Sequence, residues 1–387
     1  MTRCVSTESS EVAHILGEMG LDRPGRDWAE RLEAVTAEDV RRALAAAPGS
    51  YSQDRLLTLI SPAARPCLEE MARLGQRLTV QRFGRTIGLY APLYLSNRCI
   101  NGCLYCGFNC TGAFDRTRLT VEQAVAEAEI IATEGFRDIL LVSSEDPEFI
   151  TVEYLSELAG RLRGRFSSIS VEIYPLSTAE YARLFATGIE GVTLYQETYD
   201  RRMYGRYHPT GPKSDYNKRL EGPLRTALAG MRQIGLGVLL GLADWRLETL
   251  ALAEHAHYLM KRFWQSRISF SFPRLRPARD VADSQFEHLV SDVDLVQMIL
   301  ALRLCFADAG LVLSTRESAA FRDHLAGLAI TRMSAGSRTN PGGYGGGACT
   351  IEQFAVDDDR PPAQVAAMLR GKGLDPVWKD WDTAFLG

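Results

Sequence analysis

The chain has no long apolar run. No uncharged hydrophobic stretch reaches the roughly eighteen residues that a membrane-spanning helix requires, so no membrane partner is expected. The N-terminal residues, MTRCVSTESSEVAHIL, lack the basic-then-apolar pattern of a secretory leader, which sets the expectation of a cytoplasmic and therefore reducing location. An excess of positive charge is missing as well. The formal net charge is -4, and nucleic acid is not an expected partner. Cysteine is scarce, with 8 in 387 residues, too sparse for a disulfide framework. A second C-x2-C and an H-x3-H are absent too, and a structural zinc site normally needs such a second knuckle.

What the chain does have is a cluster of cysteines in one short segment, Cys99-Ile-Asn-Gly-Cys103-Leu-Tyr-Cys106. C-x3-C-x2-C supplies thiolates for three corners of a [4Fe-4S] cubane and leaves one iron without a protein ligand. An open iron is a place for a small molecule to coordinate, so the spacing points to catalysis more than to electron storage. Cys110 follows soon after. A fourth thiolate would close the reactive iron, so Cys110 is read as an ordinary thiol.

With 46% hydrophobic residues over this length, the chain can bury the core of one large barrel with an added segment. Residues 1–87 read as helical. Thr36-Ala-Glu-Asp39 resembles a capping box, and Ser61-Pro62 reads as an N-cap followed by proline at the first helical position. From residue 88 onward, short apolar or β-branched runs alternate with helical periodicity. They are LYAPLYLSN (89–97), DILLVSS (138–144), ISVEIYP (169–175), GVTLYQE (191–197), GVLLGLA (237–243), RISFSFPRL (267–275), GLVLSTRE (310–317) and LAITRMSA (328–335). This alternation predicts an α/β fold, a parallel (β/α)8 TIM-type barrel over 88–340. It would carry an N-terminal helical extension over 1–87 and a short C-terminal extension over 341–387 packing on the barrel.

In such barrels chemistry collects where strands end and the βα loops begin. The cysteine loop leaves the first strand, Ser143-Ser144-Glu145 closes the second, Glu172 sits within the third, and Gln196-Glu197-Thr198-Tyr199 closes the fourth. Pro273-Arg274-Leu275-Arg276-Pro277, Ser314-Thr315-Arg316-Glu317 and Ser334-Ala335-Gly336-Ser337 end the sixth, seventh and eighth. A lone Glu or Arg at a strand end is usually a surface residue. Together these would converge on one rim.

Cys99-x3-Cys103-x2-Cys106 in the first loop of such a barrel resembles the motif of the radical S-adenosylmethionine (SAM) enzymes. Tyr94-Leu-Ser-Asn97, Leu104-Tyr-Cys-Gly-Phe108, Tyr195-Gln-Glu-Thr-Tyr199, Ser271-Phe-Pro-Arg-Leu-Arg-Pro277 and Leu313-Ser-Thr-Arg-Glu-Ser318 are similar to their aromatic-amino-acid lyases. The tail, with Pro341-Gly-Gly-Tyr344, Glu352-Gln-Phe354, Asp358-Asp-Arg360 and Pro376-Val-Trp-Lys-Asp-Trp-Asp382, resembles the 2-iminoacetate synthase family, the tyrosine lyases of thiamine thiazole biosynthesis. The likeness runs from about residue 55 to the C-terminus.

The resemblance implies a [4Fe-4S] cluster on Cys99, Cys103 and Cys106, with SAM on the open iron. One electron would cleave SAM to methionine and a 5'-deoxyadenosyl radical, and Cα–Cβ scission of L-tyrosine would release 2-iminoacetate and p-cresol. It also implies Tyr105 and backbone near Phe108 at the adenine, Ser144 and Glu145 at the methionyl ammonium, Glu172 at the ribose and Arg219 at the SAM carboxylate. Arg316 is the first choice for the substrate carboxylate, since a guanidinium offers a bidentate, permanently charged fork. Ser334 would be its hydroxyl partner and Tyr94 would lie near the substrate amine. Arg274 and Arg276 compete with Arg316, although their flanking prolines equally suit an architectural loop. Implied partners are a thiazole synthase, because the imine product hydrolyses, and a flavodoxin- or ferredoxin-type electron donor. Trp378, Trp381 and Gly342–Gly347 are candidates for a lid or docking surface, or more plainly the tryptophans cap the core.

Three alternatives stand beside this one. The tyrosine lyase of [FeFe]-hydrogenase maturation carries a further cysteine-rich region, whereas here only Cys349 lies beyond Cys305. A tryptophan lyase would use nearly the same amino-acid clamp. A non-enzymatic iron–sulfur carrier would have no use for the polar strand ends.

Overall fold

The computed structural model describes residues 11–281, 285–346 and 351–379. From residue 11 the N-terminal part is helical, and two of its helices, Ala37–Ala45 and Gln53–Ile60, start where the side chains of Thr36 and Ser52 accept from a free amide. Thr36 forms the anticipated capping box with Asp39 ahead of helix Ala37–Ala45. Ser61 does not cap. Its hydroxyl donates to Thr58 O (2.7 Å), and a 3-10 turn, Pro62–Cys67, precedes helix Leu68–Phe83. Pro66 has no amide proton to return to the carbonyl of Pro62, so a regular α-helix cannot start until that turn is passed.

The strands are β1 (Thr86–Ser96), β2 (Asp138–Ser143), β3 (Ser168–Glu172), β4 (Gly191–Thr193), β5 (Gln233–Gly237), β6 (Arg267–Ser271), β7 (Gly310–Leu313), β8 (Arg332–Ser334) and β9 (Asp375–Val377). Every ladder is parallel. The order runs from β2 through β8 to β1, and β1 pairs back with β2, which closes a (β/α)8 barrel. Gly88 pairs with Arg332 of β8 and with Val377 of β9. The two therefore take opposite edges of β1, and β9 continues the β2 edge at the foot of the barrel.

Two-residue alternation sorts the side chains. Tyr90 and Tyr94 of β1 meet Leu140 and Val142 of β2 and Val312 of β7 around the central cavity. Leu89, Ala91, Leu93 and Leu95 join the core shared with the surrounding helices. Helices of that layer, Val121–Thr133, Thr178–Ala186 and Asp292–Cys305, all begin with capping boxes. The N-terminal helices are bonded to this layer, since Gln297 Nε2 donates to Leu59 O (3.0 Å) and Ser61 O (2.8 Å).

One strand lies earlier than its apolar run. The sequence suggests 237–243, yet β5 is Gln233–Gly237 and the buried run Val238–Leu242 follows it. Gly235 and Gly237 weaken the local strand pattern, but they leave room for Thr193 and Tyr195 of the neighbouring segment, which a Cβ would approach to 2.6 Å at either position. Trp378 is also not at the barrel mouth. It meets Phe136 edge-on (5.1 Å) and its carbonyl accepts from Arg137 N (2.9 Å), both just before β2, so it packs at the base. Trp381, Gly347 and Cys349 lie outside the described residues. Tyr344 N and Gly345 N donate to Glu127 (2.8 and 2.7 Å), which binds the glycine run to an outer helix rather than over the cavity.

The segment that does cross the mouth is 352–358. Gln353 N donates to Thr339 O, Gln353 O accepts from Gly107 N, Ala355 N donates to Pro277 O and Asp357 N to Thr315 O. Its far end is fixed by Asp358, whose carboxylate pairs with the fully buried Arg322, itself bonded to Ser334 O. Asp358→Ala would leave the Arg322 cation uncompensated in a site closed to water, at a cost of about 3–5 kcal/mol. Urea unfolding is expected to show that loss as a lower midpoint with an unchanged slope.

Candidate active site

Residues 97–118 connect β1 to the first outer helix without forming a strand of their own. Their backbone polar groups are met by neighbours. Ile100 N donates to Glu145 O, Gly102 N to Thr210 O, Leu104 N to Tyr207 O, and Cys110 N to Asn101 O. Arg116 gathers the carbonyls of Asn97 (2.8 Å), Phe108 (2.8 Å), Asn109 (2.5 Å) and Gly112 (3.2 Å). A register shift between Tyr94 and Ser96 on β1 precedes the loop, as bulges beside barrel sites often do.

So held, Cys99, Cys103 and Cys106 all line one cavity of about 1500 Å3, its open mouth included. Cys110 is exposed and does not line it. Burial pushes the Cys103 thiol up to about 12 and raises Cys106 as well, so ligand binding there must expel protons. Among the described residues no three His, Cys, Asp or Glu side chains converge tightly enough for a single ion. A cubane takes its thiolates one per corner, spread apart, and the cysteine set fits that group better than a lone metal.

Tyr94, Tyr105, Phe108, Ser144, Glu145 and Glu172 open into the same cavity, as do Arg219 from the short helix Tyr216–Leu220 and Arg276, Arg316 and Ser334 from the later strand ends. Arg274 does not line it. Both Arg274 and Arg276 pair with Glu317, and they also pair with Asp292 and Asp357 respectively. Both cations are therefore neutralised inside the protein, although Arg276 Nε has no hydrogen-bond partner among the described residues, and neither needs an incoming anion. Arg316 differs: its guanidinium lies 3.3 Å over the Phe354 ring and donates only to Arg274 O (3.4 Å). It has no ion pair among the described residues, and burial lowers its pKa. A desolvated cation of that kind calls for an incoming anion.

Arg219 pairs with Glu197 (3.2 Å), not with Glu172. Lys213 reaches the same carboxylate at 2.6 Å. Burial alone would raise Glu197, but the two cations outweigh it and hold the group at about 2. Glu197 also adopts φ 72°, a left-handed backbone that a non-glycine residue holds only under strong local constraint. Glu172 has no hydrogen bond or ion pair among the described residues. Burial and then Glu197 push it up to about 7, against the pull of Arg316. Burial and Glu172 likewise keep the Tyr94 phenol protonated.

Several residues in or behind the cavity wall were not singled out from sequence. His208 Nδ1 lies 2.8 Å from Tyr204 O and Nε2 lies 2.9 Å from the Tyr105 hydroxyl. A carbonyl only accepts, so Nδ1 carries the proton and Tyr105 donates to Nε2. Burial pushes His208 down to about 3, so it stays neutral. Asn101 Nδ2 donates to Glu145 Oε2 (2.7 Å) and lies 3.7 Å from Cys99 Sγ. Gln353 Nε2 donates to Cys106 Sγ (3.7 Å) and Gln353 Oε1 accepts from Tyr94 (2.8 Å). Ser337 Oγ, also in the wall, is buried without a partner among the described residues. Glu197 and Gln353 belong to the strand-end and tail motifs quoted above, which was their only sequence signal. His208 and Lys213 carried none.

Residues 93–253 match the Radical SAM superfamily, and residues 271–375 match the Biotin and Thiamin Synthesis associated domain. The chain is 45% identical to the 2-iminoacetate synthase of Escherichia coli (strain K12), over 93% of this chain and 96% of that protein. It is 45% identical to the 2-iminoacetate synthase of Salmonella typhimurium (strain LT2), over 91% and 93%. Among solved structures, the FeFe-hydrogenase maturase HydG from Carboxydothermus hydrogenoformans superposes with a TM-score of 0.83 at 32% identity, covering 96% of this chain and 85% of that one.

After anaerobic reconstitution, Cys103→Ala is expected to lose the visible absorbance of the cluster and most of the bound iron. Cys110→Ala is expected to keep both. Bleaching of the Cys110 variant would mean that a fourth thiolate holds the metal.

Proposed function

Because the chain belongs to the 2-iminoacetate synthase family of radical SAM enzymes, we propose that it cleaves the Cα–Cβ bond of L-tyrosine to 2-iminoacetate and p-cresol, for thiamine thiazole biosynthesis. The observation that carries this is Arg316, a buried guanidinium without an acidic partner among the described residues, in the same cavity as the three cysteine sulfurs. One wall suits a cluster and the other suits an amino-acid carboxylate.

The cofactors are a [4Fe-4S] cluster and SAM, which when bound supply the 5'-deoxyadenosyl radical that takes a hydrogen atom from the substrate amine. Cys99, Cys103 and Cys106 would hold the cluster. Asn101 fixes Glu145, whose carboxylate and the lone pairs of Ser144 offer acceptors to the methionyl ammonium. The Ser144 proton is already spent on Arg98 O (2.6 Å). Glu172, near its midpoint at neutral pH, accepts a hydroxyl hydrogen bond in either protonation state, as a ribose requires. Arg219 retains its charge beside Glu197 and is our candidate for the SAM carboxylate, with Tyr105 and Phe108 at the adenine.

On the substrate side Arg316 takes the carboxylate, with Ser334 beside it and Tyr94 toward the amine. Ser334 Oγ accepts from Thr315 N (3.1 Å), which fixes its hydroxyl in the cavity wall. Residues 352–358 cover the mouth and limit water, which protects both the radical and the imine. Because that imine hydrolyses once released, a thiazole synthase is the partner we propose for direct transfer. The electron would come from a reduced flavodoxin or ferredoxin, in the cytoplasm, where the thiols stay reduced.

Anaerobic incubation with dithionite, SAM and either tyrosine or tryptophan is expected to give p-cresol from tyrosine by mass spectrometry, and its absence would sink the assignment. For Arg316→Ala, 5'-deoxyadenosine should still form slowly while kcat/KM for tyrosine drops roughly a hundredfold, the scale of losing a buried charge pair. Unchanged tyrosine turnover would remove Arg316 from the clamp.

A further inference from the structure

Gln353 uses each of its polar groups, and the two on its side chain join the cysteine loop to β1. Its backbone is bonded to Thr339 O (3.0 Å) and Gly107 N (3.2 Å). Its side chain spans from Cys106 Sγ (3.7 Å) to the Tyr94 hydroxyl (2.8 Å). Gly107 permits this approach, since a Cβ there would stand 2.7 Å from Gln353 O.

These bonds have an enforced direction. A ligating sulfur has no proton and can only accept, which turns the Nε2 end of the amide toward Cys106 and leaves Oε1 toward Tyr94. The amide oxygen also only accepts, so Tyr94 must donate its single proton to it. What Tyr94 then offers the cavity is its lone pairs, a surface for an N–H donor and not for a carboxylate. At the other end, an N–H pointed at a cluster sulfur stabilises the extra negative charge of the reduced state and so raises the reduction potential.

We propose that Gln353 is a positioning residue with two linked effects: it raises the potential of the cluster through Cys106, and it sets Tyr94 as the acceptor for the amino group of the substrate. The first effect needs only a cluster on the cysteine loop. The second rests on the tyrosine-lyase assignment above. Because Gln353 lies on the segment that crosses the mouth, the stretch that covers the cavity is also the one that contacts Cys106 Sγ.

Two variants separate the effects. Gln353→Leu removes both bonds, whereas Gln353→Glu keeps an acceptor for Tyr94 and places a negative charge at Cys106. An EPR-monitored redox titration of reconstituted protein, without SAM or tyrosine, is expected to show a more negative potential in both variants. With tyrosine, Gln353→Leu is expected to raise KM about tenfold, the scale of one lost hydrogen bond, while Gln353→Glu keeps KM near that of the unaltered protein. A wild-type potential in both variants at equal iron content overturns the sulfur contact, and an unchanged KM in Gln353→Leu overturns the Tyr94 contact. If Gln353→Leu fails to hold a cluster, Gln353→Glu decides the potential and Tyr94→Phe decides KM: a KM raised about tenfold supports the contact, and an unchanged one overturns it. The potential is read on the cluster alone, so it answers even if the unaltered protein yields no p-cresol.

Discussion

The Arg116 guanidinium holds the carbonyls of Asn97, Phe108, Asn109 and Gly112, and the cysteine sulfurs face the cavity only while that loop keeps its shape. A coil of this length has no ladder of its own to satisfy its amides. It borrows partners from the β2 end at Glu145, from Thr210 and Tyr207 after β4, and from Gln353 in the C-terminal segment. Asp146 adds to the frame by accepting from Ser96 (2.8 Å) and from both arms of Arg118. The cysteine wall is thus supported from three directions and is a product of the whole barrel end.

Charge within the cavity is distributed unevenly, and that unevenness assigns the two ligand positions. Near the cysteines, Glu197 is shared by Lys213 and Arg219, two cations on one carboxylate, which leaves one positive charge for an incoming anion. Across the barrel, Glu317 and Asp357 satisfy Arg276, and Glu317 and Asp292 satisfy Arg274. Arg316 is left with an aromatic face. Burying a cation without a counter-ion is costly, and the cost is tolerable where a substrate carboxylate completes the pair. Paired arginines around an unpaired one are what make the position specific.

The C-terminal segment has a structural and a chemical part. Arg322, Asp358 and Arg360 anchor one end of it in the protein, and at the other end Gln353 and Phe354 form cavity wall. Phe354 lies against Arg316 and Gln353 against Cys106, so one short stretch touches both ligand positions.

Much of the fold was legible along the chain, because strand alternation, helix caps and cysteine spacing are local patterns that backbone geometry and thiolate ligation impose directly. The capping box at Thr36, the placement of β1 to β3 and the cysteine loop are of this kind. Pattern failed where a long-range contact decided: β5 keeps glycines because side chains of the β4 segment fill their space, and Trp378 lies at the base because β9 pairs with the foot of β1. Three arginines at strand ends look alike in sequence, and only the position of Glu317 makes two of them structural and frees the third. Gln353 stands 247 residues from the cysteine it bonds. The sequence by itself therefore determined the barrel, the cysteine spacing and the family, while only the tertiary structure decided which charges are neutralised and which polar groups meet, since both depend on distances that the closed barrel alone brings into range.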